Sequence, residues 1–65
     1  MEIVVTFNRS SDVASELIDL YRPPWLRRAE VYGSKSIRME IDEETPVLEV
    51  CKWLAKFGYV KWVEF

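Results

Sequence analysis

The chain has 65 residues, 49% of them hydrophobic and 14% aromatic, and its 9 basic and 11 acidic side chains give a net charge of -2. This length suits one domain, and a domain this small buries only about 60% of the surface of its unfolded chain. The acidic surplus argues against a nucleic-acid partner, because such binders usually carry a basic surplus or stripe. Histidine, the commonest proton shuttle and metal ligand near neutral pH, is absent. We therefore expect neither an enzyme nor a cofactor or metal site.

Cysteine usage and hydropathy indicate the compartment. Cys51 is the single cysteine, so no internal disulfide can form, and this favours a reducing environment. No segment approaches the roughly 18 apolar residues of a membrane span. The first residues lack the charged-then-apolar pattern of a signal peptide. A cytoplasmic protein without a membrane partner is expected.

The first two elements are predicted to be a strand and a helix. Glu2 to Phe7 is rich in residues that favour strands. Ser10 or Ser11 is expected to cap the helix that follows, and Pro23-Pro24 to end it at about Tyr21. Apolar residues at helical spacing are expected to face the core. They are Val13, Leu17 and Leu20, with Ile18 or Tyr21 beside them.

A β-hairpin is predicted next, because Arg27 to Tyr32 and Ser36 to Ile41 fit together in one register around Gly33-Ser34-Lys35. Favourable opposed pairs contribute roughly 0.2–1 kcal/mol each, and a slip of one residue would turn every side chain to the wrong face. The predicted apolar pairs are Val31 with Ile37 and Ala29 with Met39, and the predicted charged pairs are Glu30 with Arg38 and Arg28 with Glu40.

A second helix is predicted from Thr45 as N-cap and Pro46 as first helical residue to Gly58 just past its end. Trp53 is expected at the border of its apolar face. That face is expected to comprise Val47, Val50, Cys51, Leu54 and Phe57, with Cys51 as a small core residue. Tyr59 to Phe65 then forms the last strand.

The order β-α-β-β-α-β resembles the ferredoxin-like, split βαβ fold over the whole chain. The resemblance implies an α+β protein with a four-stranded antiparallel sheet, central first and third strands, and two helices on one face. This fold carries many unrelated functions, so no specific family or activity follows. Ferredoxin-like RNA-binding domains stack bases on aromatic residues of the open sheet face. Here the outward positions of the two central strands are Glu2, Val4, Thr6, Ser36, Arg38 and Glu40, and none is aromatic.

The orientation of the last strand stays open at this point. Either Val60 and Trp62 point to the helices and Tyr59, Val63 and Phe65 lie outside, or the reverse holds and Trp62 lies outside. Both alternatives expose at least one large aromatic side chain, and exposed apolar patches tend to mark interaction sites. The second strand carries protective charges at its edge, whereas the last strand carries only Lys61 and Glu64.

These features predict a non-catalytic protein-interaction module that forms a homodimer or docks on another protein through the last strand or the open sheet face. Trp25 follows two prolines and suits a binding hot spot, although it can instead close the open end of a small core. The residues expected to bind the partner are Val4, Thr6, Trp25, Trp53, Tyr59, Val63 and Phe65.

A small-ligand or anion-binding regulatory domain is the alternative function. Asn8, Arg9, Ser10 and Ser11 lie at a predicted helix N-terminus, where free amides attract anions. Acylphosphatases and ACT-type domains share the strand order, but their loop patterns are not reproduced, and ordinary capping is the simpler interpretation. The acidic run of Glu40, Asp42, Glu43 and Glu44 lacks calcium-loop spacing and is expected to be a solvated loop.

Overall fold

The computed structural model describes residues 1–65 and contains the six predicted elements in the predicted order. The strands form one antiparallel sheet in the order β2-β3-β1-β4, so β1 and β3 are central. The ferredoxin-like α+β arrangement is therefore confirmed. The elements are β1 (Glu2–Phe7), α1 (Ser11–Leu20), β2 (Leu26–Val31), β3 (Ser36–Ile41), α2 (Val47–Phe57) and β4 (Val60–Glu64).

The core lies between the sheet and the helices, and its composition follows the alternation of side chains along a strand. The central strands contribute every second residue to it, and their intervening residues point to the open face of the sheet. The helices contribute few fully buried side chains. The buried core is Ile3, Val5, Phe7, Ala14, Ile18, Leu26, Ile37, Met39, Ile41, Val50 and Leu54.

The β2-β3 hairpin has the predicted register, with Val31 opposite Ile37 and Arg28 opposite Glu40. The Arg28 guanidinium lies 3.5 Å from the Glu40 carboxylate. The second charged pair also has the predicted register, with Glu30 opposite Arg38, but the charged groups of the two side chains turn to other partners. Arg38 lies over the ring of Tyr32, 4.8 Å from its centroid, while Glu30 lies 3.9 Å from Arg28 on its own strand.

Helix α1 is capped by Ser10, whose hydroxyl accepts a hydrogen bond of 3.3 Å from the Val13 amide. The predicted buried face of α1 is wrong in part. Ala14 and Ile18 are buried against the sheet, whereas Val13, Leu20 and Tyr21 are exposed. A small side chain at Ala14 lets the helix lie close to the sheet. The helix is rotated about its axis so that Ala14 and Ile18 face the sheet, and the larger side chains of Val13, Leu20 and Tyr21 therefore point away from the core.

Helix α2 begins one residue later than predicted, with Pro46 rather than Thr45 as its N-cap. Val50 and Leu54 are buried and Trp53 is half-buried, but Val47 and Cys51 are exposed. The predictions that Val47 and Cys51 belong to the core are therefore wrong. Trp53 and Phe57 pack against the core. Because successive residues of a helix are about 100° apart, a helix with these two residues on its buried side has Val47 and Cys51 on its exposed side.

Strand β4 contains a bulge, and the bulge resolves the alternatives left open by its sequence. Val60 lies opposite Phe7 and Val63 opposite Val5, so both valines face the helices. Trp62 lies opposite Thr6 and faces the open side, because Lys61 is an extra residue between the two regular pairs. Neither simple alternation was correct, and Val63 is not on the open face.

Candidate interaction surfaces

The two edge strands of the sheet differ in how well they are protected against pairing with another chain. Strand β2 carries Arg27, Arg28 and Glu30, and its pairing with β3 is irregular between Leu26 and Arg28. Charged residues and bulges of this kind discourage pairing with another chain. Strand β4 carries only two charges and one bulge, and Trp62, within its regular part, is 62% exposed. The β4 edge is therefore the less protected one.

Helix α2 also has exposed apolar residues close to the β4 edge, on the helix side of the sheet. It packs against β4, while α1 packs against β2 and β3. Val47 and Cys51 are exposed on the flank of α2 that points away from α1. Exposed apolar residues thus lie on both sides of β4. We call Val47, Cys51, Trp62 and Phe65, with the free backbone of β4, the β4 edge surface.

The open face of the sheet is divided into an aromatic end and a charged end. At the aromatic end, Trp62 and Tyr32 lie at opposite edges of a row whose centre is Thr6 and Ser36. The hydroxyl oxygens of Thr6 and Ser36 are 3.0 Å apart and hydrogen-bonded. The rest of this face is charged. It carries Glu2, Arg28, Glu30, Arg38, Glu40 and Glu64, with Val4 as the one apolar residue among them.

An aromatic cluster on the helix side collects three of the predicted partner-binding residues. The rings of Trp25 and Trp53 meet edge to face with centroids 5.7 Å apart, and Trp53 stacks on Phe57 at 4.8 Å. Phe57 in turn contacts Tyr59, at 6.4 Å. Trp25 packs against the core as a lid at its open end, and this is the second of the two roles considered for it.

The predicted partner-binding residues therefore do not form one surface. Val4 and Thr6 lie half-buried on the open face, and Phe65 lies exposed beyond the end of β4. Trp25, Trp53 and Tyr59 belong to the aromatic cluster on the other side of the sheet. Val63 packs against the core. Two exposed aromatic residues of the open face, Trp62 and Tyr32, were not among the predicted partner-binding residues.

A groove of about 670 Å³ separates α1 from α2. The backbones of the two helices do not approach closely, since α1 packs against β2 and β3 whereas α2 packs against β4. The groove is lined by Leu17, Leu20, Tyr21, Arg22, Trp53, Lys56, Phe57 and Tyr59. Sequence periodicity identified Leu17 and Leu20 as part of one apolar stripe, with Tyr21 or Ile18 beside them, but it assigned this stripe to the core.

The predicted anion site at the start of α1 is largely occupied by the protein itself. The Ser11 amide donates to the Ser34 carbonyl at 2.8 Å, and the Val13 amide donates to Ser10. The Asn8 amide donates to the Tyr59 carbonyl. Arg9 lies over the ring of Tyr59, 4.6 Å from its centroid. These contacts leave few of the amides that an anion would need, and they support the capping interpretation.

The acidic run before α2 is a turn with local contacts. The Asp42 carboxylate accepts a hydrogen bond from the Glu44 amide at 3.2 Å and lies 3.8 Å from Arg27. No group of three or more potential metal ligands comes together in the structure.

Neither helix has the length and apolar character that crossing a membrane requires. Comparison with known protein families, curated proteins and solved structures finds no match to this chain. Any functional statement therefore depends on the surfaces of the molecule itself.

Proposed function

We propose that the protein is a non-catalytic interaction module of the cytoplasm that self-associates through the β4 edge surface. The observation that carries the proposal is the difference between the two sheet edges. The β2 edge carries three charged residues beside the exposed Val31, whereas β4 carries two, with exposed Trp62 on its open-face side and exposed Val47 and Cys51 of α2 on its helix side. Edge strands without strong protection are sites of pairing with other chains.

The register of such a pairing is restricted by the faces of the side chains. Antiparallel pairing centred on Val63 places Val63 opposite Val63 of the second copy, on the helix side. Trp62 then lies opposite Glu64 of the second copy, and both residues belong to the open face. A shift of one residue would oppose Trp62 to Val63, which point to opposite faces, so that register is unfavourable.

The bulge at Lys61 limits regular pairing to the short segment from Trp62 to Glu64. Backbone bonds over so few residues need support from buried side chains, and the exposed flank of α2 supplies them. A stable interface buries about 800 Å² per partner, which is roughly a fifth of the 4417 Å² of this domain. Such burial also benefits a domain whose own core is small.

Sedimentation equilibrium of paired variants tests the surface. Trp62 and Tyr32 are aromatic residues of the open face, 62% and 59% exposed, at opposite edges of the sheet. Trp62→Ser is expected to weaken dimerisation at least about tenfold, as expected for the loss of an aromatic hot spot. Tyr32→Ser is expected to leave it unchanged. Equal dimer affinity of the two folded variants, or a strictly monomeric wild type at millimolar concentration, would refute the proposal.

A second pair tests whether the flank of α2 takes part. Val47 and Val13 both lie in the first turn of a helix and are 48% and 45% exposed. Glutamate is compatible with the dipole at both positions. Val47→Glu is expected to weaken dimerisation and Val13→Glu to leave it intact. Alkylation of the single, exposed Cys51 should slow as the wild-type concentration rises; a rate independent of concentration would exclude this flank from the interface.

A further inference from the structure

We infer that the groove between α1 and α2 binds a small aromatic carboxylic acid. This site lies on the flank of α2 opposite the β4 edge surface, so the inference is independent of self-association. The groove has a volume of about 670 Å³, and small-molecule sites occupy roughly 300–1,000 Å³. Six of its eight lining residues are hydrophobic and the other two are charged, and an apolar lining with few polar groups is usual for such sites.

The length of the groove selects a small molecule over a peptide helix. On α1 the lining begins at Leu17 and reaches Tyr21 just beyond the helix, and on α2 it extends from Trp53 to Phe57. Each wall is therefore about one helical turn long, or about 6 Å. A docked amphipathic helix uses anchors at positions i, i+4 and i+7, which span about 10 Å. One ring system fits this length.

The walls favour an aromatic body. Four of the lining residues are aromatic, namely Tyr21, Trp53, Phe57 and Tyr59. Phe57 is fixed by the stacked ring of Trp53 and by the edge-to-face contact with Phe7, whose centroid is 5.6 Å away. Rings held in this way present a preformed apolar floor, and a ligand ring can stack on them or meet them edge to face.

The charged lining residues select an anion. They are Arg22 and Lys56, and no carboxylate lines the groove. Arg22 is held in place because one guanidinium nitrogen donates to the carbonyls of Leu26 and Arg27 at 3.2 and 2.9 Å. Asp19 lies 3.8 Å from its other terminal nitrogen, but both side chains are well exposed and this pair is weak. Lys56 has no acidic partner in the protein and is the primary counter-ion.

Three probes with the same ring system separate charge from shape: 2-naphthoate, neutral 2-naphthamide and cationic 2-naphthylmethylamine. Binding is measured at pH 7 and 150 mM salt from amide chemical shifts, and salt at this level limits charge effects to about 8 Å. We expect 2-naphthoate to bind about tenfold more tightly than the amine and to shift the amides of Leu17, Tyr21 and Lys56. No binding of 2-naphthoate at millimolar concentration, equal affinity of the acid and the amine, or shifts confined to other regions would overturn the inference.

Lys52 provides a matched control, because it lies on the same helix as Lys56 and is exposed outside the groove. Lys56→Glu is expected to weaken 2-naphthoate binding at least about fivefold and to strengthen binding of the amine. Lys52→Glu should leave both affinities within about twofold of the wild type. Circular dichroism verifies that both variants are folded. Equal losses in the two folded variants would contradict a site at this groove, as would loss of binding in the Trp62→Ser variant.

Discussion

Gly58 offers the sharpest test of the structure, because its substitution by alanine isolates backbone conformation from packing. Gly58 has φ 77° and ψ -173° at the end of α2, a region that is essentially restricted to glycine and costs other residues about 1–3 kcal/mol. A Cβ atom at Gly58 would have no neighbour within 4 Å, so no steric contact contributes. Alanine lowers the entropy of the unfolded chain, which offsets about 0.4–1 kcal/mol. With the middle of each range, the net loss expected for Gly58→Ala is about 1.3 kcal/mol.

Gly33→Ala is the control. A Cβ atom at Gly33 would lie 3.7 Å from the Ser36 Cβ, an ordinary contact, and its φ is outside the left-handed region. This variant should be neutral or slightly more stable than the wild type. Urea unfolding followed by circular dichroism, at one protein concentration because dimerisation would add to stability, measures both. In thermal unfolding, a loss of about 1.3 kcal/mol from a domain of this size should lower the melting temperature by about 5–10 °C, and equal stability of the two variants would refute the assigned turn.

Two further substitutions test the local structure and the location of the interface. Ser10→Ala removes the hydroxyl that accepts from the Val13 amide and is expected to cost about 0.5–2 kcal/mol in urea unfolding, whereas Ser10→Asn should retain most of the stability; equal losses would exclude the side-chain cap. Replacing Glu30 and Glu40 together by lysine removes both carboxylates near Arg28 and should cost about 0.4–2 kcal/mol. The folded double variant should sediment as the wild type does, and loss of its dimer would locate the interface on the charged part of the open face.

The sequence by itself determined the elements, their order and the hairpin register. Strand side chains alternate with a period of two, so a slip of one residue between β2 and β3 would turn every side chain to the wrong face, and the opposed charges together with the short turn favour the observed alignment. The same alternation identified Ile3, Val5 and Phe7 as core residues before any tertiary contact was known. The start of α1 and the end of α2 followed from local chemistry as well, since Ser10 caps α1 and Gly58 ends α2.

Only the tertiary structure decided which helix faces are buried and how β4 is oriented. An apolar stripe at helical spacing does not specify how far a helix rotates on its sheet, and the fit of Ala14 and Ile18 against the strands left Leu20 and Tyr21 exposed beside the groove. A bulge depends on the partner strand, and no local signal around Lys61 revealed that Val60 and Val63 would both turn inward. The groove and the β4 edge surface both arise from packing between segments that are distant in the sequence, and local periodicity does not predict that packing.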